Sequence, residues 1–318
     1  MSWKNLKTFA IVVLLIMNVF FGTEVYRQYK RMNYYSEKEI NSVTELLSES
    51  GIYVNEDILR AKKLSIPAYM RTSSDVELLS ALRLFGNVSR GGEKYIVSNG
   101  YKTWSFGNDG SFEYRSAENV SMPVSLIESG TVSAVFMIDE YTERLEAAMN
   151  GIICFDNINA LPANKGAKPS HAELYRLYTD RDTGYYVAMF LQYTDKMQTS
   201  QAFYLLIDEN GEVLSGEGSI SLLLPNEKLK TDCVDLLTVF FDEKRWADAY
   251  FSSGKTGRLL LSELYYSYDI YRLSDGSEYY VPTVNLIYSD GTVHSYNMID
   301  GIKKKKTVAI CLIIKYNL

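Results

Sequence analysis

The sequence contains few of the residue types on which metal sites and disulfide frameworks depend. Its 318 residues include three cysteines and two histidines, namely Cys154, Cys233, Cys311, His171 and His294. No two cysteines have the close spacing of a zinc site, so we expect no metal. Scattered cysteines do not indicate a disulfide framework either. For Cys154 and Cys233 the sequence leaves two alternatives, a disulfide bridge and, more simply, two buried thiols.

The sequence also lacks the short motifs that carry common enzyme chemistry. It has no HExxH, GxSxG, GxxxxGK(S/T) or GxGxxG pattern, the signatures of zinc proteases, serine hydrolases and nucleotide-binding loops. Ser170 and His171 are adjacent, but neighbours along a strand or loop point apart and do not form a dyad. We therefore expect a protein that is not an enzyme and has no cofactor.

One enzyme class stays open as an alternative, a glycan hydrolase of the cell envelope. Such enzymes use two carboxylates placed across a cleft, which a sequence alone does not reveal. The clearest acidic pairs are Asp139-Glu140 and Asp242-Glu243, and each is more simply interpreted as a solvated end or face of a helix.

Positive charge is scarce in the middle of the chain. The net charge is −6; the first 31 residues carry +4 and residues 303–318 carry +5, which leaves −15 on residues 32–302. A body this acidic repels phosphate backbones, so we expect no nucleic-acid partner.

A single long apolar run stands at the N-terminus. No charged residue occurs between Lys7 and Glu24, and with Trp3 and Tyr26 the segment exceeds the roughly 30 Å of a bilayer's hydrocarbon core. It predicts a membrane-spanning helix at 8–26, continuing as a polar stem to about Asn33. A signal peptide and a buried core helix are the alternatives. The first is disfavoured because bulky residues occupy most candidate cleavage positions.

The flanking charges do not decide the orientation of this helix. Lys4 and Lys7 lie on one side, while Arg27, Lys30 and Arg31, offset by a glutamate, lie on the other. Basic residues favour the cytoplasmic side of a membrane helix. Because the net positive charge of the two flanks is nearly equal, this rule does not indicate which end is cytoplasmic.

The same segment contains the candidate functional site. Thr8, Ile11, Leu15, Asn18 and Gly22 follow one another at steps of three and four, so they share one helix face. Small and polar residues let membrane helices approach and hydrogen-bond, and an asparagine in hydrocarbon is disfavoured without a partner. This pattern predicts a partner-binding face. The alternative is that Asn18 is tolerated near one interface.

The rest of the chain has the pattern of an α+β protein. With 47% hydrophobic residues it predicts a packed fold. Ser36 and Glu39 form a capping box, and Ile40, Val43 and Leu47 follow at helical spacing. Asn99-Gly100 between alternating strands predicts a type I′ hairpin turn.

The order of elements suggests two similar halves of antiparallel β-meanders with packed helices. The halves are 27–156 and 171–302, joined by a linker candidate at 157–170 that is rich in turn-forming residues. A basic and apolar tail, 303–318, is atypical of either half.

The opening of the chain resembles YycI-type membrane proteins. The resemblance rests on Met-Ser-Trp-Lys-Asn-Leu-Lys-Thr at 1–8, on the apolar run ending at Ile16–Phe20, and on Gly51–Val54. It covers about the first 55 residues, and the closing hairpin at 284–296 fits in layout. The lysine-rich tail departs from the family pattern.

The resemblance implies a single-pass regulator of Gram-positive bacteria. Its short N-terminus, 1–7, would be cytoplasmic, and its α+β domain extracytoplasmic. Together with a YycH-like protein it would act on a sensor histidine kinase that controls cell-wall metabolism. An extracytoplasmic ligand-binding module without a kinase partner is the alternative function.

Overall fold

The computed structural model describes residues 3–60, 66–116, 120, 139–179, 184–255 and 257–304. The chain is a mixed α+β protein in which antiparallel strand pairs dominate. The predicted fold class is confirmed at this level. Residues 121–138 and 305–318, the second of which forms most of the predicted tail, lie outside the described residues.

The described residues form seven α-helices and fourteen strands. The helices are α1 (Trp3–Asn33), α2 (Glu37–Glu49), α3 (Glu56–Arg60), α4 (Asp75–Leu82), α5 (Asp139–Asn150), α6 (Phe155–Asn159) and α7 (Leu236–Ser252). The strands are β1 (Ile52–Val54), β2 (Tyr69–Thr72), β3 (Asn87–Gly91), β4 (Lys94–Asn99), β5 (Lys102–Gly107), β6 (Ser111–Arg115), β7 (Ser170–Thr179), β8 (Tyr186–Thr194), β9 (Met197–Ile207), β10 (Val213–Ser219), β11 (Glu227–Lys228), β12 (Leu259–Arg272), β13 (Ser277–Tyr288) and β14 (Val293–Asn297).

The chain divides into two compact units. Unit 1 consists of residues 1–66, 235–264 and 287–290, and unit 2 consists of residues 67–234, 265–286 and 291–318. The predicted halves, 27–156 and 171–302, each contain residues of both units.

In unit 1, α2 and α7 pack together and bury their apolar faces. The buried face of α2 is the predicted one, Ile40, Val43 and Leu47. The capping box is confirmed, because Ser36 Oγ accepts from the amide of Glu39 and the Glu39 carboxylate accepts from the amide of Ser36. Parallel pairing of β1 with the start of β12 completes the unit.

In unit 2, the strand order is β11-β2-β13-β12-β9-β10-β6-β5-β4-β3. Outside this order, β8 pairs with β9, β7 pairs with β8, and β14 pairs with β13. β8, β9 and β10 pair antiparallel, whereas β12 joins β9 through a parallel bridge between Tyr268 and Thr199. Alternation along β4 and β6 buries every second side chain. The buried ring of Phe203 contacts the rings of Phe112 and Phe190 at centroid distances of 5.7 and 5.3 Å.

The linker candidate at 157–170 lies inside unit 2. Its residues include the end of α6 and a 3₁₀ turn, Pro162–Asn164. Ile158 and Leu161 are buried in the core, and buried Asn164 Nδ2 donates to the carbonyls of Ile158 and Leu222.

Candidate functional site

One helix among the described residues, α1, is a membrane-span candidate. Ile11–Lys30 is long and apolar enough to cross a membrane, and none of it is buried. Its large apolar side chains are exposed, with Ile11 at 58% and Leu15 at 59% of full exposure. Thr23 Oγ1 donates to the carbonyl of Phe20 at 2.8 Å, the local bond by which a hydroxyl is satisfied within a helix. The helix itself continues to Asn33, as predicted.

The predicted partner face lies uncovered along α1. Ile11, Leu15, Asn18 and Gly22 are exposed on one side of the helix, whereas the side chain of Thr8 lies outside the described residues. A Cβ built at Gly22 would meet no atom within 4 Å. Because all residues from 11 to 22 are exposed, every side of this part of α1, this face included, has space for a second helix.

Aromatic and basic residues follow directly after the apolar segment. They line a cavity of about 570 Å³ between the end of α1 and the start of α2, formed by Tyr26, Arg27, Lys30, Tyr34, Tyr35, Ser36, Glu37 and Glu39. The hydroxyl of Tyr35 donates to Asp235 Oδ1 at 2.8 Å. Tyrosine, lysine and arginine at the end of an apolar helix are typical of a membrane–water interface.

A second candidate site is a cleft of about 690 Å³ in unit 2. Four stretches of chain provide most of its lining: the β5–β6 turn (107–110), the β12–β13 turn (273–276), the start of α4 (73–75) and the segment 220–223. Its apolar wall consists of Leu78, Tyr95, Phe106, Ile220, Leu222, Leu223 and Leu273. Cavities of this size are typical of small-molecule sites.

The β12–β13 turn closely approaches the start of α4. Ser73 Oγ donates to the carbonyl of Gly276 at 2.6 Å. Gly276 has a φ of +83°, and a Cβ there would lie 3.1 Å from the carbonyl oxygen of Ser73. Glycine is therefore required at this position both for the left-handed conformation and for the close approach.

A buried ion pair forms one wall of the cleft. Arg272 Nε donates to Glu278 Oε1 at 2.6 Å, and Nη2 donates to the same oxygen. Nη1 donates to the carbonyl of Asn108 in the β5–β6 turn. Glu278 is 1% exposed, and its Oε2 has no hydrogen-bond partner among the described residues. This oxygen is fully buried, so within the described part of the chain it is an unsatisfied acceptor that is not exposed to the cleft.

A second guanidinium lies opposite this carboxylate in the sheet. Arg71 on β2 is the register partner of Glu278 on β13 and is 2% exposed. Its Nη1 donates to the carbonyl of Leu224 at 3.0 Å and its Nη2 to Glu77 Oε1 at 3.4 Å. Within the described residues its Nε has no partner. Two arginines and two glutamates thus balance in charge beside the cleft.

The mouth of the cleft carries ionised carboxylates. The hydroxyl and amide of Ser111 donate to Asp109 and hold the pKa of that carboxyl below its usual value. The amide of Ser277 lowers the pKa of Asp275 in the same way. Asp75, in the first turn of α4, is exposed. Acidic groups therefore lie beside the apolar wall of the cleft.

The acidic and polar pairs singled out in the sequence do not converge. Asp242 is on the surface with Arg245 at 3.1 Å, whereas its neighbour Glu243 is buried and accepts from the hydroxyl of Tyr288. The side chains of Asp139 and Glu140 lie outside the described residues.

Ser170 and His171 point apart, as predicted. Ser170 is buried and donates to the carbonyl of Tyr193 at 2.7 Å, while His171 is exposed and lies 3.0 Å from Glu173. Cys154 has a free thiol, so the Cys154–Cys233 bridge does not form. In the described part of the chain, no group of three metal-ligating side chains occurs.

The cleft was not predicted from the sequence. Gly110 turns the chain between β5 and β6 with a φ of +87°, and a turn glycine alone does not indicate a cleft. The available signal was the segment Arg272-Leu-Ser-Asp-Gly-Ser-Glu278, in which a hairpin turn brings two opposite charges to facing positions.

Comparison with known proteins gives little further information. No protein-family model matches the sequence, and no curated protein does. Among solved structures, the chain is similar to an uncharacterized protein from Eubacterium rectale ATCC 33656, with 10% sequence identity and a TM-score of 0.47 over 86% of this chain and 99% of that one.

Proposed function

We propose that this chain is a single-pass membrane regulator of a sensor histidine kinase that controls cell-wall metabolism. The observation that carries the proposal is the uncovered face of α1, on which Ile11, Leu15, Asn18 and Gly22 are exposed in a helix apolar enough to cross a membrane. The resemblance of the opening residues to YycI-type proteins supports the identity of the partner. A YycH-like protein is the second partner that the resemblance suggests.

The proposal places residues 1–7 in the cytoplasm and the α+β body outside the membrane. The resemblance supports this orientation. The cavity lined by Tyr26, Arg27 and Lys30 fits the outer membrane–water interface in this arrangement, since these residue types anchor helices at that level.

The α1 face provides both of the interactions that associate membrane helices. Gly22 has no side chain, which permits close approach of a second backbone, and the Asn18 amide offers donors and an acceptor to a partner. An unpaired amide in hydrocarbon is disfavoured, so a partner that satisfies it gains affinity. Regulation follows if the contact is stronger in one signalling state of the kinase than in the other.

A second candidate function, an extracytoplasmic ligand-binding module, is favoured by the cleft of unit 2. Its volume and its apolar wall are features of a small-molecule site. The two functions differ in the part of the chain they require, so variants of each part separate them.

Co-purification from membranes tests the proposal. Asn18→Leu with Gly22→Leu should leave membrane insertion intact and reduce recovery of the kinase at least fivefold. The matched control is Val13→Leu with Phe20→Leu, on the opposite side of α1, which should leave recovery unchanged. Equal recovery with both double variants would refute the role of this face.

A further inference from the structure

We propose that the cavity between the end of α1 and the start of α2 binds the headgroup phosphate of an anionic membrane phospholipid. The inference rests on the proposed function only in that α1 crosses a membrane, and it requires no kinase. The phosphate would lie among Arg27, Lys30 and Tyr34, which line a space of about 570 Å³. All three residues belong to unit 1.

The cavity lies at the level along α1 where lipid phosphates occur. At 1.5 Å per residue, Arg27 is about 8 Å and Lys30 about 12 Å beyond Gly22, which precedes the first charged residue after the apolar run. The headgroup layer on each side of the hydrocarbon core is roughly 5–8 Å thick. Because side chains of a helix lean toward its N-terminal end, both cations lean back toward the membrane surface.

Arg27, Lys30 and Tyr34 lie on one face of the helix. They are spaced by three and four residues, and side chains at these spacings are neighbours. The amide of Tyr34 donates to the carbonyl of Lys30 at 2.9 Å, so the helical path extends to Tyr34. The three residues therefore offer two cations and a hydroxyl donor to one space. Phosphate oxygens form strong hydrogen bonds with donors of this kind.

The basic groups of the cavity are accessible and available to an anion. Arg27 and Lys30 are both exposed, and within the described part of the chain Lys30 has no ion pair. Arg27 lies 3.7 Å from Glu24, and the two side chains are 69% and 44% exposed, so this contact contributes little. The hydroxyl of half-buried Tyr34 has no hydrogen-bond partner among the described residues.

The acidic groups of the cavity, in contrast, have partners of their own. The carboxylate of Glu39 accepts from the amide and the hydroxyl of Ser36 at 2.7 Å each. Glu37 lies 3.3 Å from Arg60. The positive charge that is left without a firm partner therefore favours an anionic ligand over a cationic one.

One wall of the cavity is tied to the body of unit 1. The hydroxyl of Tyr35 donates to Asp235 Oδ1 at 2.8 Å, and the same oxygen accepts from the amide of Leu237 at 2.9 Å. Asp235 is the N-cap of α7. A headgroup bound in the cavity would therefore hold the body of unit 1 in a defined orientation at the membrane surface.

Native mass spectrometry of the full chain in neutral detergent micelles tests the proposal. The probes are dioleoylphosphatidylglycerol, dioleoylphosphatidylcholine, which has the same acyl chains and no net charge, and glycerol 3-phosphate as a soluble phosphate. We expect phosphatidylglycerol to bind about tenfold more tightly than phosphatidylcholine, because two basic groups attract its charge. Equal affinity for the two lipids would overturn the proposal. Binding of glycerol 3-phosphate as tightly as phosphatidylglycerol would also overturn it, since the ligand would then be a soluble anion.

Three variants locate the binding. Arg27→Gln with Lys30→Gln should weaken phosphatidylglycerol about tenfold and leave phosphatidylcholine unchanged. Tyr34→Phe removes one hydroxyl and should weaken phosphatidylglycerol about threefold. The matched control, Arg83→Gln with Lys165→Gln, removes the same charge from exposed positions of unit 2 and should change nothing. Unchanged affinity in both cavity variants, or an equal loss in the control, would contradict the assigned site.

The lipid assay is separate from the test of the kinase contact. It contains no kinase and leaves Asn18 and Gly22 in place, while the co-purification variants leave Arg27 and Lys30 in place. Loss of lipid selectivity with normal kinase recovery would refute this inference alone. Normal lipid selectivity without a kinase contact would refute only the kinase partner and would support the lipid site.

Discussion

The guanidinium of Arg272 donates two hydrogen bonds to a single oxygen of Glu278 and leaves the other oxygen, Oε2, with no partner among the described residues. The arginine is 27% exposed at its side chain and the glutamate 2%. The pair therefore neutralises a buried charge, while one buried acceptor stays unsatisfied within the described part of the chain.

Removing the arginine should destabilise the protein. Arg272→Ala leaves a buried carboxylate without its cation, and we expect the free energy of unfolding to fall by roughly 3 kcal/mol. Urea unfolding followed by circular dichroism measures it. The control is Lys94→Ala, which breaks an exposed pair with Glu113 (2.8 Å) and should cost less than about 1 kcal/mol. Equal losses would mean that burial does not strengthen the Arg272–Glu278 pair.

The pKa of Asp109 should depend on Ser111. The Ser111 hydroxyl is the largest cause of the lowered pKa, so Ser111→Ala should move that pKa up toward 3.8. A lowered folded-state pKa stabilises the fold above the ordinary pKa of the group, and this contribution is lost as pH falls through the folded value. The variant should therefore lose stability near neutral pH and show a weaker acid dependence.

Carboxyl NMR titration provides the measurement, with Asp275 as an internal control. The pKa of Asp275 is lowered chiefly by the amide of Ser277, so Ser111→Ala should leave it unchanged. A shift of both carboxyls, or of neither, would contradict the assigned cause.

The N-cap of α2 should be worth a measurable amount of stability. Ser36→Ala removes the oxygen that accepts from the amide of Glu39, and we expect a loss of about 1 kcal/mol. Ser42→Ala, in the exposed middle of the same helix, is the matched control and should be neutral or slightly stabilising because alanine is the better helix former. A larger loss from the control than from the cap variant would contradict this interpretation.

Alanine substitutions at two glycines of unit 1 distinguish the cost of backbone strain from the cost of side-chain crowding. Gly51 and Gly254 have φ values of +80° and +88°, but a Cβ at Gly51 would lie 2.7 Å from the ring of Phe251, while one at Gly254 would meet nothing within 4 Å. Gly254→Ala should cost about 1 kcal/mol for the left-handed conformation alone. Gly51→Ala should cost at least about 1 kcal/mol more, because the methyl group overpacks the ring. Thermal unfolding of both variants measures the difference, and equal costs would contradict the close approach of the Phe251 ring to position 51.

Local features of the fold could be predicted from the sequence because their causes lie within a few residues. The capping box of Ser36 and Glu39 and the buried stripe of α2 are of this kind. The Asn99-Gly100 hairpin was located correctly, but its turn type was wrong. Its two loop residues are Gly100 and Tyr101, and only Gly100 has a positive φ, the pattern of a type II′ turn.

The type I′ pattern occurs instead in a hairpin with no glycine in its loop. Asp195 and Lys196, between β8 and β9, have φ values of 51° and 66°. No sequence pattern predicts the left-handed conformation of Lys196, because the strand register on both sides of the loop imposes it. Aspartate tolerates that region more readily than most residues do.

Long-range pairing set the limit of prediction. β1 pairs with the start of β12, and Ile52 is the register partner of Leu259. The periodicity within either strand contains no information about its pairing with the other. For the same reason 157–170 looked like a linker, since its turn-forming composition does not reveal that Asn164 is buried. The cleft joins turns at 107–110 and 273–276, which become neighbours only through the order of strands in the sheet.

The proposed role of α1 is tested most directly by site-specific photocrosslinking within the membrane. A photoreactive residue at position 18, on the proposed face, should capture the sensor histidine kinase, and the same residue at position 13, on the opposite side, should capture much less. Absence of a histidine kinase from the position-18 products, with the chain fully inserted in the membrane, would contradict the account.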